Sequence, residues 1–505
     1  MLKSIKLTVK DSLIYGFGNI AVMLVGLVLI PLYTDPKYFT IEEFGIIGIL
    51  DITRTVLTTF LTFSLPNSFF RWYWDKDHRD NQKGLFFMTL MSQIVITGSL
   101  CILLIPLSGK LSGILFKTDE WTNVIILLII SSASQAINYL ISVLLRLESR
   151  SGLFTLTNLF KLIVVLALTI YFIIVKKMGI EGIYLAQVIG NMLYILVLSG
   201  FIVKNCKISF NGKVLREMHV YGFPLFLGSI ASILMNVVDR YALNTLSVLR
   251  SVALYTLAVK LANVIKLIVV DSVRLTIMPV FMKKMDSPDN RRFQSKILLY
   301  TSLVVMYAIV ALSLFSLEIT KVITSSRAYW NIVYIMPVLS LSVFFVSMKE
   351  ITVYGLYIAK KSRTISYIVI SATILNIVLN IILIPLWDVT GTALATLLSQ
   401  AYFWFMCYFF SQKEYHVPYE TGKLIILFVT GTLFAFSGLL LVNVDTIPRL
   451  IIKLFLVAIF PFILYILNFY EKAEINAVRG FVAKWSDLRR LGDNLKSLKN
   501  ITDDL

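Results

Sequence analysis

The sequence is poor in charged residues, cysteine and histidine. Only 15% of its 505 residues are charged, whereas 58% are hydrophobic, a balance that excludes a water-soluble enzyme and is typical of a helical membrane protein. The three cysteines show no C-x-x-C spacing, and the three histidines lie in predicted loops. Neither a disulfide framework nor a bound metal ion is therefore expected.

Motifs for energy coupling and for catalysis are also absent from the sequence. The chain has no G-x-x-x-x-G-K-[ST] loop for a nucleotide, so transport would depend on an ion gradient, the membrane potential or a partner. No large outer loop carries the clustered carboxylates that a membrane glycosyltransferase or polymerase would use. We therefore expect no catalytic residues, no enzyme activity and no cofactor, and we leave coupling to Na⁺ or H⁺ open.

Apolar runs of about 20 residues predict fourteen membrane-spanning helices and an all-α integral membrane fold. They cover approximately residues 12–33, 44–65, 85–107, 121–144, 153–175, 180–203, 221–246, 252–282, 297–317, 330–359, 364–386, 390–410, 424–442 and 450–468. With the amino terminus inside, 31 lysines and arginines fall on the inner side and nine on the outer side. The positive-inside rule then predicts that both termini are cytoplasmic. Because the net charge of +18 follows this topology, it predicts no nucleic-acid partner.

A weak internal repeat divides the predicted helices into two sets. Gly182 and Gly391 occupy matching places in similar segments 209 residues apart, and Tyr15 and Tyr221 are each followed by glycine. This predicts a six-helix bundle in residues 1–215 and its parallel pseudo-repeat in 216–412, with a cavity between them. Two additional membrane helices follow in 413–470. Apolar residues three or four apart predict an amphipathic cytoplasmic tail in 471–505.

Charged residues are concentrated in the predicted hairpin 221–281, where each costs roughly 2.5 to 3.5 kcal/mol at mid-bilayer on insertion scales. They therefore indicate a hydrated cavity, and a surplus of lysine and arginine favours an anionic substrate such as phosphate. At 100° per residue, Lys260 and Arg274 share one polar face and Lys266 falls outside it. The predicted substrate-binding residues are Arg54, Arg240, Lys260, Lys266 and Arg274, and the supporting or ion-coupling candidates are Asn19, Asp51, Asp239, Asn263 and Asp271.

Ion pairing is the alternative explanation for these charges. Asp51 and Arg54 are spaced i, i+3, as are Asp271 and Arg274, so each couple can pair within its helix. Lys349 is expected to be structural on the same grounds. Serine and asparagine on the fourth and seventh helices are more typical of hydrogen bonds between helices than of ligand contacts.

The most specific stretches of the sequence are EEFGIIGIL (42–50), PNSFFRWYW (66–74), YGFPLFLGSI (221–230), MNVVDRYAL (235–243), ALYTLAVKLANVI (253–265) and ILNIVLNIILIPLWDVTGTALATLLSQ (374–400). Together they resemble the Wzx-type flippases, the polysaccharide-transport branch of the multidrug, oligosaccharidyl-lipid and polysaccharide (MOP) exporter superfamily. The resemblance implies two six-helix bundles in a V-shaped arrangement and alternating access. It also implies passage of an undecaprenyl-pyrophosphate-linked oligosaccharide from the inner to the outer leaflet of the bacterial cytoplasmic membrane.

The resemblance also implies a site and a set of partners. In related flippases, basic residues on the first, second, seventh and eighth helices line the cavity. The five predicted cations lie on comparable helices, except that the first helix offers only Asn19. The implied partners are the lipid-linked substrate, membrane lipids, a polysaccharide polymerase and glycosyltransferases that together make a lipopolysaccharide or exopolysaccharide.

Two other functions compete with this one. A cation-coupled drug or metabolite antiporter of the same superfamily would favour unpaired acids and an aromatic cavity over surplus lysine and arginine. A membrane enzyme or assembly subunit of a polysaccharide pathway would show glycosyl transfer in the purified protein.

Overall fold

The computed structural model describes residues 26–75, 80–274, 281, 289–472 and 474–476. Within these ranges every regular element is a helix. In chain order the α-helices are α1 (Ile30–Tyr33), α2 (Ile41–Thr62), α3 (Leu65–Trp72), α4 (Gln82–Leu104), α5 (Ser108–Phe116), α6 (Thr122–Leu147), α7 (Ser151–Ile174), α8 (Gly179–Val197), α9 (Ser199–Lys204), α10 (Gly212–Leu246), α11 (Leu249–Ile265, continued by the π-helical segment Lys266–Asp271 and then to Arg274), α12 (Asn290–Leu314), α13 (Ser316–Ile323), α14 (Met336–Thr352), α15 (Tyr354–Ile358), α16 (Ser362–Glu414), α17 (Thr421–Ser437) and α18 (Thr446–Ile466). Two 3-10 helices, Arg327–Tyr334 and Gly438–Leu441, precede α14 and follow α17. We call α1 to α9 the first half and α10 to α18 the second half.

Twelve helices of the described part are long and apolar enough to cross a membrane. One of them, α16, contains two predicted spans, because Asp388 breaks it with a left-handed φ of 48°. Thirteen of the fourteen predicted spans are thereby confirmed. Most of the first predicted span, 12–33, lies outside the described residues, and the structure shows only its end as α1. Asn19 also lies outside the described residues.

Local sequence signals explain how α2 begins and ends. The Thr40 hydroxyl accepts from the Glu43 N–H and the Glu43 carboxylate accepts from the Thr40 N–H, so both hydrogen bonds of a capping box are present. This arrangement satisfies two N–H groups that the helix leaves free. At the other end, Phe63 and Ser64 are both left-handed, so the chain leaves α2 abruptly and re-enters a helix at Leu65. The two ends of α2, and with them the positions of its charged residues, are thus fixed along the chain.

Small residues bring the two halves together where α2 crosses α11. A side chain on Gly45 would place its Cβ 2.2 Å from the Leu249 carbonyl oxygen, and one on Gly48 would meet Thr256. Close approach of this kind is the usual role of small residues between membrane helices. Only glycine allows α2 and α11 to pack at this distance.

Further contacts join the halves at the predicted outer ends of their helices. The Asn244 side chain donates to the Leu115 carbonyl at 2.6 Å, and the Ser325 backbone donates to the Thr34 hydroxyl at 3.1 Å. At the predicted inner ends, the Ser68 hydroxyl donates to the Met218 carbonyl at 2.8 Å. The structure therefore holds the halves in contact at both ends.

An ion cluster attaches the last helix, α18, to the rest of the second half. Glu318 of α13 accepts from Lys453 at 2.8 Å and from Arg449 at 2.7 Å. The Lys453 side chain is fully buried and that of Arg449 nearly so. Burial of Glu318 opposes its ionisation, but the bonds from these cations lower the pKa of its carboxyl. Since a buried charge is tolerated only with a partner, the cluster fixes α18 against α13.

The beginning of the tail is held by a second cluster. Lys296 of α12 contacts Glu420 at 2.7 Å and Glu471 at 2.5 Å. The hydrogen bond from Lys296 lowers the pKa of the Glu471 carboxyl. The amphipathic helix predicted for 471–505 lies almost entirely outside the described residues.

Candidate substrate cavity

A cavity of about 440 Å³ lies inside the second half, between α10, α11, α14 and both arms of α16. The charged residues that line it are Asp239, Arg240, Lys266, Arg274, Lys349 and Glu350. Four cations therefore face two acids, and Asn236 and Asn263 add polar lining. This location differs from the expectation of a single cavity between the two bundles.

Lys266 lies on the face of α11 that lines the cavity. Tyr255, Val259 and Ala262 line the cavity too, and Lys266 follows them at spacings of 11, 7 and 4 residues, which is one face of a regular helix. The 100° wheel placed Lys266 outside the polar face because it was centred on Lys260, which faces Asp51 of α2 instead. Lys266 is close enough to Glu350 to interact electrostatically, yet among the described residues no carboxylate lies within 4 Å of it.

Arg274, Lys349 and Glu350 form a loose ion network on the cavity wall. Arg274 lies 3.8 Å from Asp271 and 3.8 Å from Glu350. The predicted pair of Asp271 and Arg274 is therefore confirmed, although Arg274 divides its charge between two acids. Lys349 lies 2.5 Å from Glu350 and 4.9 Å from the centre of the Phe403 ring. Its ion pair agrees with the structural role expected for Lys349, and its ammonium also lines the cavity.

Asp239 is buried at one end of the cavity in a hydrogen-bonded cluster. It accepts from the Tyr255 hydroxyl at 2.7 Å, the Thr396 hydroxyl at 2.8 Å and the Asn380 amide at 2.9 Å. The Asn380 side-chain oxygen is buried with no hydrogen-bond partner in the described part of the chain. Donors from α11 and α16 thus converge on the Asp239 carboxylate of α10.

Arg240, next to Asp239, has an incomplete set of partners. One guanidinium nitrogen donates to the Asn236 carbonyl at 3.3 Å. Its Nε is buried and donates to no group in the described ranges. An unpaired N–H on a cation is free to bind an incoming anion.

Two of the five predicted cations lie elsewhere. Lys260 is 3.7 Å from Asp51 of α2, an ion pair that connects the two halves. Arg54 donates to the Gln187 side chain at 2.7 Å inside the first half. The prediction that Asp51 pairs with Arg54 was wrong, because Asp51 faces α11 while Arg54 faces α8.

Lys161 is a membrane cation that the sequence analysis missed. It was counted among the 31 inner-side charges, whereas it lies well inside α7. Its ammonium donates to the Gln135 side chain at 3.3 Å and lies 5.1 Å from the centre of the Tyr194 ring. A single lysine inside the apolar run 153–175 was the available signal.

Residues 8–285 match the model of a family described as polysaccharide biosynthesis protein. This is more than half of the chain. The chain belongs to the polysaccharide biosynthesis protein family. The match includes α2, α10 and α11, which carry all five predicted cations.

Other comparisons agree with membership of the polysaccharide biosynthesis protein family. An uncharacterized membrane protein of Methanocaldococcus jannaschii is 23% identical over 277 residues, which are 54% of this chain and 53% of that protein. The chain thus matches about half the length of this curated relative.

Solved structures show that this family member has the fold of known flippases and transporters. The lipid II flippase MurJ in an inward closed conformation matches with a TM-score of 0.71 and 18% identity, over 90% of this chain and 99% of that one. A multidrug resistance MATE family transporter of the MOP superfamily, in an inward-facing conformation, matches with a TM-score of 0.65 and 13% identity, over 81% and 95%. The predicted fold class is therefore confirmed.

Proposed function

We propose that the protein moves an undecaprenyl-pyrophosphate-linked oligosaccharide from the inner to the outer leaflet of a membrane by alternating access. The family membership, the fold shared with a lipid II flippase and the membrane location support this function. The observation that carries it is the cavity in the second half, where four cations face two acids. Such a surplus suits a pyrophosphate, which carries several negative charges.

The cavity residues have separate roles in this proposal. Arg240 offers an unpartnered N–H to a phosphate oxygen, and Lys266 offers an ammonium with no carboxylate partner within 4 Å in the described part. Arg274 and Lys349 are held by Glu350 and add two further positive charges. Arginine binds two oxygens in one plane, whereas lysine acts as a point charge. Together they would replace the water that surrounds the pyrophosphate.

Coupling to Na⁺ or H⁺ is part of the same proposal, with Asp239 as the coupling residue. A hard cation takes oxygen ligands, and the Asp239 cluster offers a carboxylate and the hydroxyls of Tyr255 and Thr396. We expect Asp239→Asn to remove the dependence of translocation on a Na⁺ or pH gradient. Asp119→Asn, at an exposed site outside the spans, is the control.

The experiment uses purified protein in liposomes with a fluorescent undecaprenyl-pyrophosphate disaccharide. A membrane-impermeant quencher reports how much label has crossed. We expect Lys266→Gln or Arg240→Gln to reduce the rate at least tenfold, because a lost charge-assisted hydrogen bond corresponds to about 1.5 to 3 kcal/mol. Lys110→Gln, which removes an exposed charge on α5, should leave the rate unchanged. Unaltered rates in both cavity variants would contradict the proposed site.

The antiporter alternative makes the opposite prediction about charge. A cavity for an organic cation needs surplus acid, and here Asp239 and Glu350 are outnumbered by four cations. Proton-coupled uptake of a cationic dye, with no movement of the lipid-linked disaccharide, would favour the antiporter.

Location, domains and partners complete the proposal. The asymmetry of 31 inner to nine outer cations supports cytoplasmic termini. The proposed location is the bacterial cytoplasmic membrane, as the resemblance to the Wzx-type flippases implies. Lys161 lies within α7, which lowers the inner number by one and leaves the asymmetry intact. We keep the domain boundaries 1–215, 216–412, 413–470 and 471–505. A polysaccharide polymerase and glycosyltransferases are the proposed partners.

A further inference from the structure

Arg54 and Lys161 place two positive charges inside the first half. Each is only half-buried, and each points into the helix bundle, since Arg54 contacts α8 and Lys161 contacts α6 and α8. They lie close enough for electrostatic repulsion. Among the described residues, neither has a carboxylate within 4 Å. Ionisable groups inside a membrane bundle are functional candidates because they are expensive to keep there.

The surrounding side chains offer hydrogen-bond donors rather than balancing charge. Gln187 and Gln135 accept from the two cations through their side-chain oxygens. Their amide NH₂ groups donate to no acceptor in the described ranges. The Tyr184 hydroxyl, one turn before Gln187 on α8, is fully buried and has no hydrogen-bond partner there. It lies within electrostatic range of Asp51 and, with a smaller effect, of Arg54. A buried donor without an acceptor is a rare and costly feature.

Gly190 lets α7 pack closely against α8, and this close packing places Lys161 in the cluster. A Cβ at Gly190 would lie 2.2 Å from a methyl group of Val165, and the Lys161 stem passes 3.8 Å from that position. The close approach of α7 and α8 therefore directs Lys161 across α8 toward the face that carries Gln187. A guanidinium, an ammonium, two amides and a phenol are thus grouped on these helices, and no carboxylate of the described ranges lies within 4 Å of either cation.

We infer that this cluster is a second anion site, which binds an oxyanion on the sugar part of the substrate. This inference rests on the proposed function, because it assigns the pyrophosphate to the second half and an acidic group of the oligosaccharide to the first. A carboxylate or phosphate substituent matches the chemistry, since arginine binds two oxygens and lysine adds a point charge. The substrate class is therefore an acidic oligosaccharide. The same chemistry would also accept a free anion from solution.

The test measures binding to the full-length protein in detergent. The three probes are undecaprenyl pyrophosphate alone, the same lipid carrying a galacturonic acid disaccharide, and the lipid carrying a galactose disaccharide. We expect wild-type protein to bind the acidic lipid at least about tenfold more tightly than the neutral one, as one charge-assisted hydrogen bond predicts. The preference should disappear in Lys161→Gln and persist in Lys161→Arg. Lys176→Gln, at the exposed end of α7, should keep it.

The possible outcomes separate this inference from the proposed function. Equal affinity of wild-type protein for the acidic and neutral lipids overturns the inference even where the variant fails to fold. Weaker binding of inorganic phosphate by Lys161→Gln, with no preference between the two lipids, assigns the site to a free anion and also overturns it. If wild-type protein binds none of the three lipids, the proposed function itself fails.

Discussion

The ion pair between Asp51 and Lys260 gives a direct test of alternating access. It joins α2 to α11 across the two halves at 3.7 Å. It lies near the middle of α2 and α11, and the glycine contacts at Gly45 and Gly48 lie between it and the predicted outer ends. Opening the protein outward between its two halves would have to separate these two charges. We therefore expect Asp51→Asn to favour the outward-open state.

The size of the effect follows from the geometry of this pair. Two unit charges at this separation attract by roughly 4 kcal/mol at an effective dielectric constant of about 20. The side chains are 26% and 29% exposed, and solvent screening of such pairs reduces the net contribution to about 1 kcal/mol. At 25 °C this is roughly a fivefold change in the ratio of closed to open molecules.

The assay measures distances between spin labels placed at the outer ends. Lys37 in the first half and Arg250 in the second are both exposed and can be changed to cysteine after the three native cysteines are replaced by serine. Asp51→Asn should raise the ratio of molecules with the longer distance to those with the shorter distance about fivefold. A second label pair within the second half, at Arg250 and Trp387, should show no change.

Two results would refute this reasoning. If Asp51→Asn leaves the distance distribution unchanged, the pair does not contribute to closure. If Asp51→Asn and Lys260→Gln each open the protein but their effects add in the double variant, the two side chains act independently rather than as a pair.

Three further predictions concern stability, the cavity and topology. Glu318→Gln should lower the free energy of unfolding by about 3 to 5 kcal/mol, because it leaves Lys453 buried without its partner. In the wild type this contribution is fully present above the usual carboxyl pKa of 4.5, and it is lost as the pH falls through the lowered pKa of Glu318 in the folded protein. Thermal unfolding in detergent measures both effects. Asp271→Asn combined with Arg274→Gln should fold normally and still fail to translocate, since Arg274 also faces Glu350 in the cavity; recovery of wild-type rates would mean that the pair is structural only. Cysteine labelling should find the loop 283–292 accessible from the cytoplasm, and labelling from outside would reverse the assignment.

Hydropathy was sufficient to predict the membrane helices. The number of apolar residues needed to cross a bilayer is set by its thickness, so thirteen spans appear near their predicted positions. Asp388 shows the limit of this reasoning. Hydropathy predicted the two spans on either side of it, but not that they are joined directly by a break in the helix at this one residue. There the Asp388 carboxylate accepts a hydrogen bond from the Ser251 hydroxyl at 2.6 Å.

The location of the cavity could not be predicted from the repeat. Two similar bundles suggest a shared interface, but the packing of α2 on α11 fills part of that interface. Two charged residues of α14, Lys349 and Glu350, line the cavity instead. Lys349 and Glu350 lie in a helix that showed no amphipathic pattern, because α14 is buried on nearly all sides.

Partners of charged residues depend on tertiary structure, which explains both the correct and the wrong pairings. Asp271 and Arg274 pair as their i, i+3 spacing predicts. Asp51 and Arg54 have the same spacing, yet a closer cation on α11 takes Asp51 and Gln187 of α8 takes Arg54. Spacing along one helix can show that two side chains share a face, but the helices packed against that face decide which contact is made. A membrane charge should therefore be assigned a role only after every neighbouring helix is known, and Arg54, left without an acid, is the residue whose role this changes most.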